Sequence, residues 1–246
     1  MPAETSYSVP PHDAPSLLIT AGPTREPIDA VRFLGNRSSG RMGVAIAAAA
    51  VNAGWRVTLL LGPTEVRPEA RPGLEVIPFE STADLEALLR EHLDSCDILI
   101  MAAAVSDYRP VVSDDNLAGK HRRGDTALEL RLEPTPDLLA GCAAKRRPDQ
   151  LLVGFALEPL DRLESSAKRK LEKKRIDLIV ANPLETMGSD AVDARLYAAP
   201  AMQSLGLPAL TTPEQGITKP DFARWLVEQA GHALDLRTRA AAVETS

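Results

Sequence analysis

Residues 17–43 read LLITAGPTREPIDAVRFLGNRSSGRMG, and their pattern predicts a strand, a loop and a helix in that order. The uncharged run Leu17–Ala21 predicts a buried strand, which Gly22-Pro23 ends abruptly. A loop rich in glycine and serine follows and leads into a helix predicted over Met42–Asn52 and closed by Gly54. A buried strand that passes through such a loop into a helix is typical of the first unit of an α/β fold.

Strands and helices are predicted to alternate along the rest of the chain. The predicted strands are Arg56–Leu61, Asp97–Ala103, Leu151–Phe155 and Asp177–Ala181, and the predicted helices are Thr82–His92, Asp161–Arg175 and Arg224–Arg237. This alternation predicts an α/β fold with a doubly wound, mostly parallel sheet of Rossmann-like type and helices on both faces. Residues 128–132 alternate apolar and charged side chains, which predicts a strand with one wet face in a small β-hairpin flap.

The composition excludes several classes of protein. Of 246 residues, 44% are hydrophobic and 25% are charged, which is typical of a globular chain and not of a disordered or collagen-like one. The formal net charge of −6 argues against a nucleic-acid partner. We expect one domain over 17–238, between a flexible N-terminal extension (1–16) and a C-terminal tail (239–246). The longest uncharged apolar stretch, Val44–Ala53, is too short to cross a bilayer, so we expect no membrane partner and a cytoplasmic location.

The first loop is a candidate phosphate-binding loop. Gly22, Ser38, Ser39 and Gly40 flank the turn into the first helix, whose N-terminal amides and dipole attract phosphate. Four polar side chains cluster in the same loop: Arg25, Arg32, Asn36 and Arg37. The alternative is a loop whose glycines only permit tight turns. The dinucleotide fingerprint G-x-G-x-x-G is absent.

The third predicted strand leads into Met101-Ala102-Ala103 and, four residues later, Asp107. In open parallel sheets, ligands bind beyond the carboxyl ends of the strands. Small alanines allow a flat base or sugar to approach the backbone, and the Asp107 carboxylate can accept hydrogen bonds from ribose hydroxyls or a base amine. Tight packing is the alternative explanation of the alanines.

Two sets of basic residues can supply charge to a phosphate. The run Lys120-His121-Arg122-Arg123 opens the predicted flap, from which one cation can reach across a bound triphosphate. In the third predicted helix, Lys170 and Lys174 lie on one shoulder of the apolar stripe, whereas Arg169 and Lys173 point away from it. For both sets, a solvated surface is the alternative.

No covalent nucleophile or metal site is predicted. Cys96 and Cys142 lack ligand spacing and are expected to be free buried thiols. The histidines are scattered along the chain, and the sequence contains no GxSxG, HExxH or Walker A motif.

Together, these motifs resemble the phosphopantothenoylcysteine synthetases, the ligase family of coenzyme A biosynthesis. The block at 19–29 and 36–40 matches the family signature almost without change, and the block at 103–109 also matches. Weaker similarities follow in order along the chain, at 135–139, 153–158, 170–177 and 188–190. The resemblance covers about 17–236.

The resemblance implies an enzyme that joins 4′-phosphopantothenate to cysteine through an acyl-cytidylate, with CTP as co-substrate, Mg²⁺ as cofactor and a homodimer as the assembly. It implies catalytic roles for Asn36 beside the acyl group, for Arg32 on the same loop and for Lys120 at the phosphates. The residues implied in nucleotide binding are Met101, Ala102, Ala103, Asp107, Lys120, Pro136, Asp137, Leu138, Leu139, Phe155, Lys170 and Lys174. The metal ligands stay unknown. We expect a stand-alone synthetase, or the synthetase half of a fusion with a flavin-dependent decarboxylase.

Four departures from the family pattern bear on activity. Arg41 stands where lysine is usual, and Lys120-His121-Arg122-Arg123 replaces Lys-Ile-Lys-Lys. Thr135 replaces a common asparagine, and 191–195 differs from the usual ending after Gly188-Ser189-Asp190. A non-catalytic nucleotide-binding relative is therefore one alternative. An NAD(P)-dependent reductase is another, which the missing glycine fingerprint disfavours.

Overall fold

The structure is a computed structural model, and it describes residues 10–112, 119, 127–184, 191–214 and 216–244. Its centre is a sheet of eight strands, with helices packed on both faces. Smaller antiparallel pairs of strands stand outside this sheet.

The elements are numbered in chain order. The strands of the main sheet are β1 (Ser16–Ala21), β4 (Arg56–Leu61), β5 (Leu74–Pro78), β6 (Ile98–Met101), β9 (Leu151–Glu158), β10 (Leu178–Pro183), β12 (Arg195–Ala198) and β13 (Leu210–Thr211). The short outer strands are β2 (Arg25–Pro27), β3 (Phe33–Gly35), β7 (Tyr108–Pro110), β8 (Leu132–Pro134), β11 (Ala191–Val192) and β14 (Ile217–Thr218). The helices are α1 (Arg41–Asn52), α2 (Thr82–His92), α3 (Leu138–Lys145), α4 (Leu163–Lys174), α5 (Pro200–Ser204) and α6 (Lys219–Glu244).

The order of strands places a switch point at the middle of the sheet. The order is β13-β12-β10-β9-β6-β1-β4-β5, and the six strands from β10 to β5 are parallel. The chain winds outward from β1 to β5 and then crosses back to β6, so the direction in which strands are added to the sheet reverses between β1 and β6. The predicted doubly wound, mostly parallel sheet is confirmed. Only β12 and β13, at one edge, run antiparallel to their neighbours.

Two apolar layers cover the sheet, one on each face. Leu17 and Ile19 of β1 pack in the layer formed with α1 and α6, whereas Leu18 belongs to the layer formed with α2, α3 and α4. Because both faces are covered, the central strands are almost continuously apolar, as in other parallel sheets. Within the described residues, no helix is both long enough and apolar enough to cross a bilayer.

Most predicted elements are confirmed, and several have the predicted bounds. Strand β4 and helix α2 begin and end as predicted, and Ser81 is the N-cap of α2 in a reciprocal capping box with Asp84. Helix α4 begins at Leu163, after a short 3-10 turn that occupies Leu160–Arg162. Helix α6 is longer than predicted at both ends and runs to Glu244.

The predicted flap strand at 128–132 needs a correction. Only its last residue is in a strand, since β8 spans Leu132–Pro134 and pairs with β7 as an antiparallel partner. Residues 127–130 have no strand structure, and Leu128 and Leu130 are exposed. An alternating pattern forms a strand only where a core covers its apolar face, and here no described core does so.

Close contact between α1 and β1 positions the start of α1 at the carboxyl edge of the sheet. A Cβ atom added to Gly43 would lie 2.4 Å from the Cβ of Ala21, so this contact requires glycine. The N-terminus of α1 is thereby held beside the loop that leaves β1.

A buried ion cluster fastens the opposite, amino-terminal edge of the sheet. Asp177 is 2% exposed and accepts hydrogen bonds from Arg146, from Arg237 at 2.6 Å and from the Leu152 N–H at 2.7 Å. Since Arg237 lies on α6 and Arg146 follows α3, one carboxylate ties helices from both faces to the sheet.

Both cysteines are free and buried, as the sequence predicts. Burial raises the pKa of the Cys96 thiol to about 12 and that of Cys142 to about 11. These thiols are therefore neutral at physiological pH and belong to the core.

Candidate functional site

The loops that leave β1 and β6 are joined by hydrogen bonds beyond the end of the sheet. The Ala104 N–H donates to Gly22 O at 2.9 Å, and the Thr24 N–H donates to Ala104 O at 3.1 Å. Pro23 and Ala104 form an isolated parallel bridge. The carboxyl edge at the switch point is thus closed by backbone pairing, and side chains of both loops are brought together above it.

The predicted phosphate-loop residues converge at the start of α1. Gly22 and Gly40 both have a positive φ, and a Cβ on Gly40 would lie 3.3 Å from the Gly22 nitrogen. The Gly40 N–H approaches the Ser38 hydroxyl at 3.4 Å, and Thr64 donates a hydrogen bond to Ser39 O at 2.6 Å. Gly40 is the N-cap of α1 and no side chain caps this end, so the helix dipole is directed at the loop.

Arg32 lies in the turn of the β2–β3 hairpin, and Asn36 directly follows β3. The Asn36 amide donates to Ala104 O at 3.1 Å, which links the hairpin to the loop after β6. Arg32 donates two hydrogen bonds to the buried Asp29 carboxylate, at 2.6 and 2.9 Å. Arg25 stacks over the Phe33 ring at 4.4 Å. Part of the Arg32 charge is therefore offset by Asp29, and the Arg25 guanidinium is held against an aromatic ring.

The loop after β6 begins at Ala102 and leads to Asp107, whose side chain is exposed. The Ala103 N–H donates to the Thr20 hydroxyl at 3.1 Å, and Met101 is buried. Asp107 is exposed, and within the described residues no group bonds its carboxylate. The Thr135 N–H donates to Asp107 O at 2.9 Å, which places the segment 136–139 next to this loop.

Helix α3 begins at this segment and is held by a lysine of α4. Asp137 is the N-cap of α3, and its carboxylate accepts hydrogen bonds from the Ala140 N–H at 3.1 Å and from Lys174 Nζ at 2.7 Å. Burial alone would raise the pKa of Asp137, but these bonds outweigh it and lower that pKa. Leu138 and Leu139 are buried beneath the cap, whereas Pro136 is exposed.

The second lysine of α4 is paired at the end of β9. Lys170 Nζ lies 2.7 Å from the Glu158 carboxylate, which also accepts a hydrogen bond from Ser166. Burial opposes ionisation of Glu158, yet these two bonds lower its pKa below the ordinary value. Phe155, three residues earlier on the same strand, is half-buried.

The predicted orientation of α4 is confirmed. The side chains of Lys170 and Lys174 are 32% and 23% exposed, whereas Arg169 and Lys173 face solvent. Each paired ammonium has three N–H donors, so it can keep its carboxylate and still donate to a phosphate oxygen.

Some of the predicted site residues lie outside the described part of the chain. Two residues of the site were not predicted from the sequence. Lys120 and the rest of the 120–123 run lie outside the described residues, as does 188–190. The nearest described residue is Gly119, whose carbonyl accepts a hydrogen bond from the Ala30 N–H at 3.1 Å. Glu158 and Thr64 were not predicted, because their roles come from contacts across the fold and no local motif marks them.

The arrangement provides cations and amide donors rather than a nucleophile. Among the described residues, no three His, Cys, Asp or Glu side chains are grouped so as to bind a metal ion. A site of this kind can bind an anion and offset charge that develops during a reaction, without forming a covalent intermediate with the protein.

Comparison with known proteins gives a family match over most of the chain. Residues 13–209 match the DNA/pantothenate metabolism flavoprotein C-terminal domain. Coenzyme A biosynthesis bifunctional protein CoaBC of Bacillus subtilis is 42% identical over 180 residues, which are 73% of this chain and 43% of that protein. A cysteine/cysteine sulfinic acid decarboxylase from an unknown prokaryotic organism is 44% identical over 173 residues, which are 70% of this chain and 47% of that protein.

A solved structure matches nearly the whole chain. The crystal structure of the C-terminal domain of coenzyme A biosynthesis bifunctional protein CoaBC aligns with a TM-score of 0.73 and 33% sequence identity, over 94% of this chain and 99% of that one. In contrast, this chain spans about half the length of the curated relatives that it matches.

Proposed function

The chain belongs to the DNA/pantothenate metabolism flavoprotein C-terminal domain family, and on that premise we propose that it is a phosphopantothenate–cysteine ligase of coenzyme A biosynthesis that consumes CTP. The observation that carries the proposal is a continuous set of contacts at the switch point. Asn36 contacts Ala104, Thr135 contacts Asp107, and Lys174 contacts Asp137. Segments that are distant in sequence thus form one site, and each contains a residue that the family resemblance implies.

The proposed reaction has two steps, and both gather negative charge. A carboxylate oxygen of 4′-phosphopantothenate attacks the α-phosphorus of CTP, the bond to the β-phosphate oxygen breaks, and pyrophosphate leaves. The cysteine amine then attacks the acyl carbon of the acyl-cytidylate, loses a proton and displaces CMP. Because the cytidylate supplies the leaving group, the protein needs to position and to offset charge rather than to provide a nucleophile.

We assign the groups to these steps by their position. Backbone at Met101–Ala103 and the Asp107 carboxylate would bind the nucleoside. The α1 N-terminus, Lys170 and Lys174 would bind anionic groups, and Lys120 would offset charge on the leaving pyrophosphate. Asn36 would donate its amide N–H to an acyl oxygen.

The described residues fit a Mg²⁺ ion that is carried mainly by the nucleotide. They include no cluster of three candidate ligands, and Mg²⁺ bound to phosphates needs only one or two protein carboxylates. When bound, the ion would neutralise phosphate charge.

We also propose a homodimer formed through the two hairpins. Exposed apolar side chains lie on β2–β3 and around β7–β8, and the two hairpins are neighbours because β2 contacts β7. This apolar patch consists of Val31, Phe33, Leu34, Tyr108, Val111, Leu128, Leu130 and Leu132. A second copy of the chain that packs against both hairpins would remove these side chains from water.

The activity is tested by pyrophosphate release with each of the four nucleoside triphosphates. We expect release with CTP to be at least about tenfold faster than with the others, to require 4′-phosphopantothenate, and to continue beyond one turnover per site only when cysteine is present. CTP binding without release would favour the non-catalytic alternative, and absence of both would refute the proposal.

Substitutions on α4 test the assignment of its lysines. Lys170→Ala and Lys174→Ala should each lower kcat/KM by about 10- to 1000-fold, since each removes a charge that offsets the transition state. Arg169→Ala and Lys173→Ala are the matched controls and should remain within about twofold of wild type, because they face solvent. Equal losses at all four positions would contradict the assignment.

Single-turnover experiments separate the two steps. Asn36→Asp replaces an N–H donor by a repelling charge near the acyl group, so it should release pyrophosphate once per site and then stall. Lys120→Gln should lose even that first burst. Mass spectrometry of the quenched reactions should detect acyl-cytidylate only in the Asn36→Asp variant, and the reverse pattern would overturn the assignment of residues to steps.

Charge introduced into the apolar patch tests the dimer. In sedimentation equilibrium, the wild type should behave as two copies and the double variant Val31→Asp/Leu128→Asp as one, since a buried unpaired carboxylate is costly. Val76→Asp is the control, because Val76 is exposed on edge strand β5, outside this patch, and should leave the dimer intact. A monomeric wild type would refute the proposal.

A further inference from the structure

The Asp107 carboxylate depends on its backbone for its position. Within the described residues no group bonds this exposed side chain, so its location follows from the peptide at 106–107. A carboxylate that selects a ligand must be held within a fraction of an ångström. The position of the carboxylate therefore depends on the groups that hold this peptide.

One side of the peptide is held by a buried chain of polar groups. The Thr24 hydroxyl accepts a hydrogen bond from the Ser106 N–H at 3.0 Å and lies 3.2 Å from the Ser106 hydroxyl. Thr24 is bonded in turn to Thr82 at 3.4 Å, and Thr82 donates to Glu26 at 2.6 Å. All four residues are less than 9% exposed, so these hydrogen-bonded side chains form a fixed support. It anchors the peptide to the start of α2.

Thr135 holds the other side. Its hydroxyl donates to Ser106 O, and its N–H donates to Asp107 O at 2.9 Å. Thr135 also directly precedes 136–139, the segment that begins α3 and contains Asp137. A single residue therefore joins two walls of the proposed nucleotide site, the loop that contains Asp107 and the start of α3.

We infer that Thr135 is a positioning residue for nucleotide binding, and that its hydroxyl fixes the spacing between Asp107 and the α3 N-terminus. The inference rests on the proposed function, because it takes Asp107 as a nucleotide ligand. It adds a role for a position at which this chain departs from the family's common asparagine. Either residue type has a side-chain donor at this place, but the short β-branched threonine has fewer rotamers and so fixes the spacing more tightly.

The test is a titration of CTP against three variants, read as the dissociation constant. Thr135→Val keeps the branched shape and removes the hydroxyl, so it should raise the Kd by about tenfold. Thr135→Ser restores the donor and should return the Kd to within about threefold of wild type. Thr58→Val, which removes a half-buried hydroxyl from β4, is the control and should leave the Kd unchanged.

A double-mutant cycle separates positioning from a general loss of structure. If Thr135 acts through Asp107, the effect of Thr135→Val should largely disappear in an Asp107→Asn background, since the carboxylate to be positioned is already absent. Additive effects, an unchanged Kd in Thr135→Val or failure of Thr135→Ser to restore binding would each overturn the inference. Wild type that binds no nucleotide would instead refute the proposed function on which the inference rests.

Discussion

Backbone pairing between the loops after β1 and β6 is the constraint on which the site depends. In an open doubly wound sheet these two loops diverge at the switch point, and a crevice opens between them. Here Ala104 is bonded on both sides, to Gly22 and to Thr24, so the loops stay together beyond the sheet. The loop after β4 also approaches the loop after β1 closely, since a Cβ on Gly62 would lie 2.3 Å from Pro23 O. The hairpin with Asn36 and the α1 N-terminus are both positioned from this junction.

Local ion pairs are the basis on which a chain with net negative charge is proposed to bind an anion. The two half-buried lysines of α4 are each paired with a carboxylate on a different wall, Lys170 with Glu158 and Lys174 with Asp137. Pairing orients long side chains and lowers the cost of their partial burial, while leaving further N–H donors available. The exposed pair Lys168–Glu164 on the same helix has no such function, because both side chains are more than half exposed and are screened by solvent.

The departures from the family pattern fall into two groups. Thr135 keeps a side-chain donor in place of asparagine and makes two hydrogen bonds to the Asp107 loop, so this substitution retains a support for the site. Arg41 begins α1 and keeps a positive charge there, although guanidinium and ammonium bind phosphate with different geometry. The changes at 120–123 lie outside the described residues, and their effect on catalysis would be measured by the pyrophosphate-release experiments.

Much of the fold followed from the sequence alone, because its signals are local. Continuous apolar runs indicated the central strands, and helical periodicity indicated α2 and placed Lys170 and Lys174 on one shoulder of α4. The resemblance to a known family then supplied the residues that are proposed for the site. Short edge strands such as β12 and β13 were missed, since two to four residues carry no periodic signal. The prediction of a strand at 128–132 was wrong for a related reason. Alternation of apolar and charged residues shows which side chains are able to face a core, but not whether a core covers them. Only the tertiary structure could show that Glu158, Asp29 and Thr135 support the site, because each acts through a partner that the fold, and no local pattern, brings within hydrogen-bond distance.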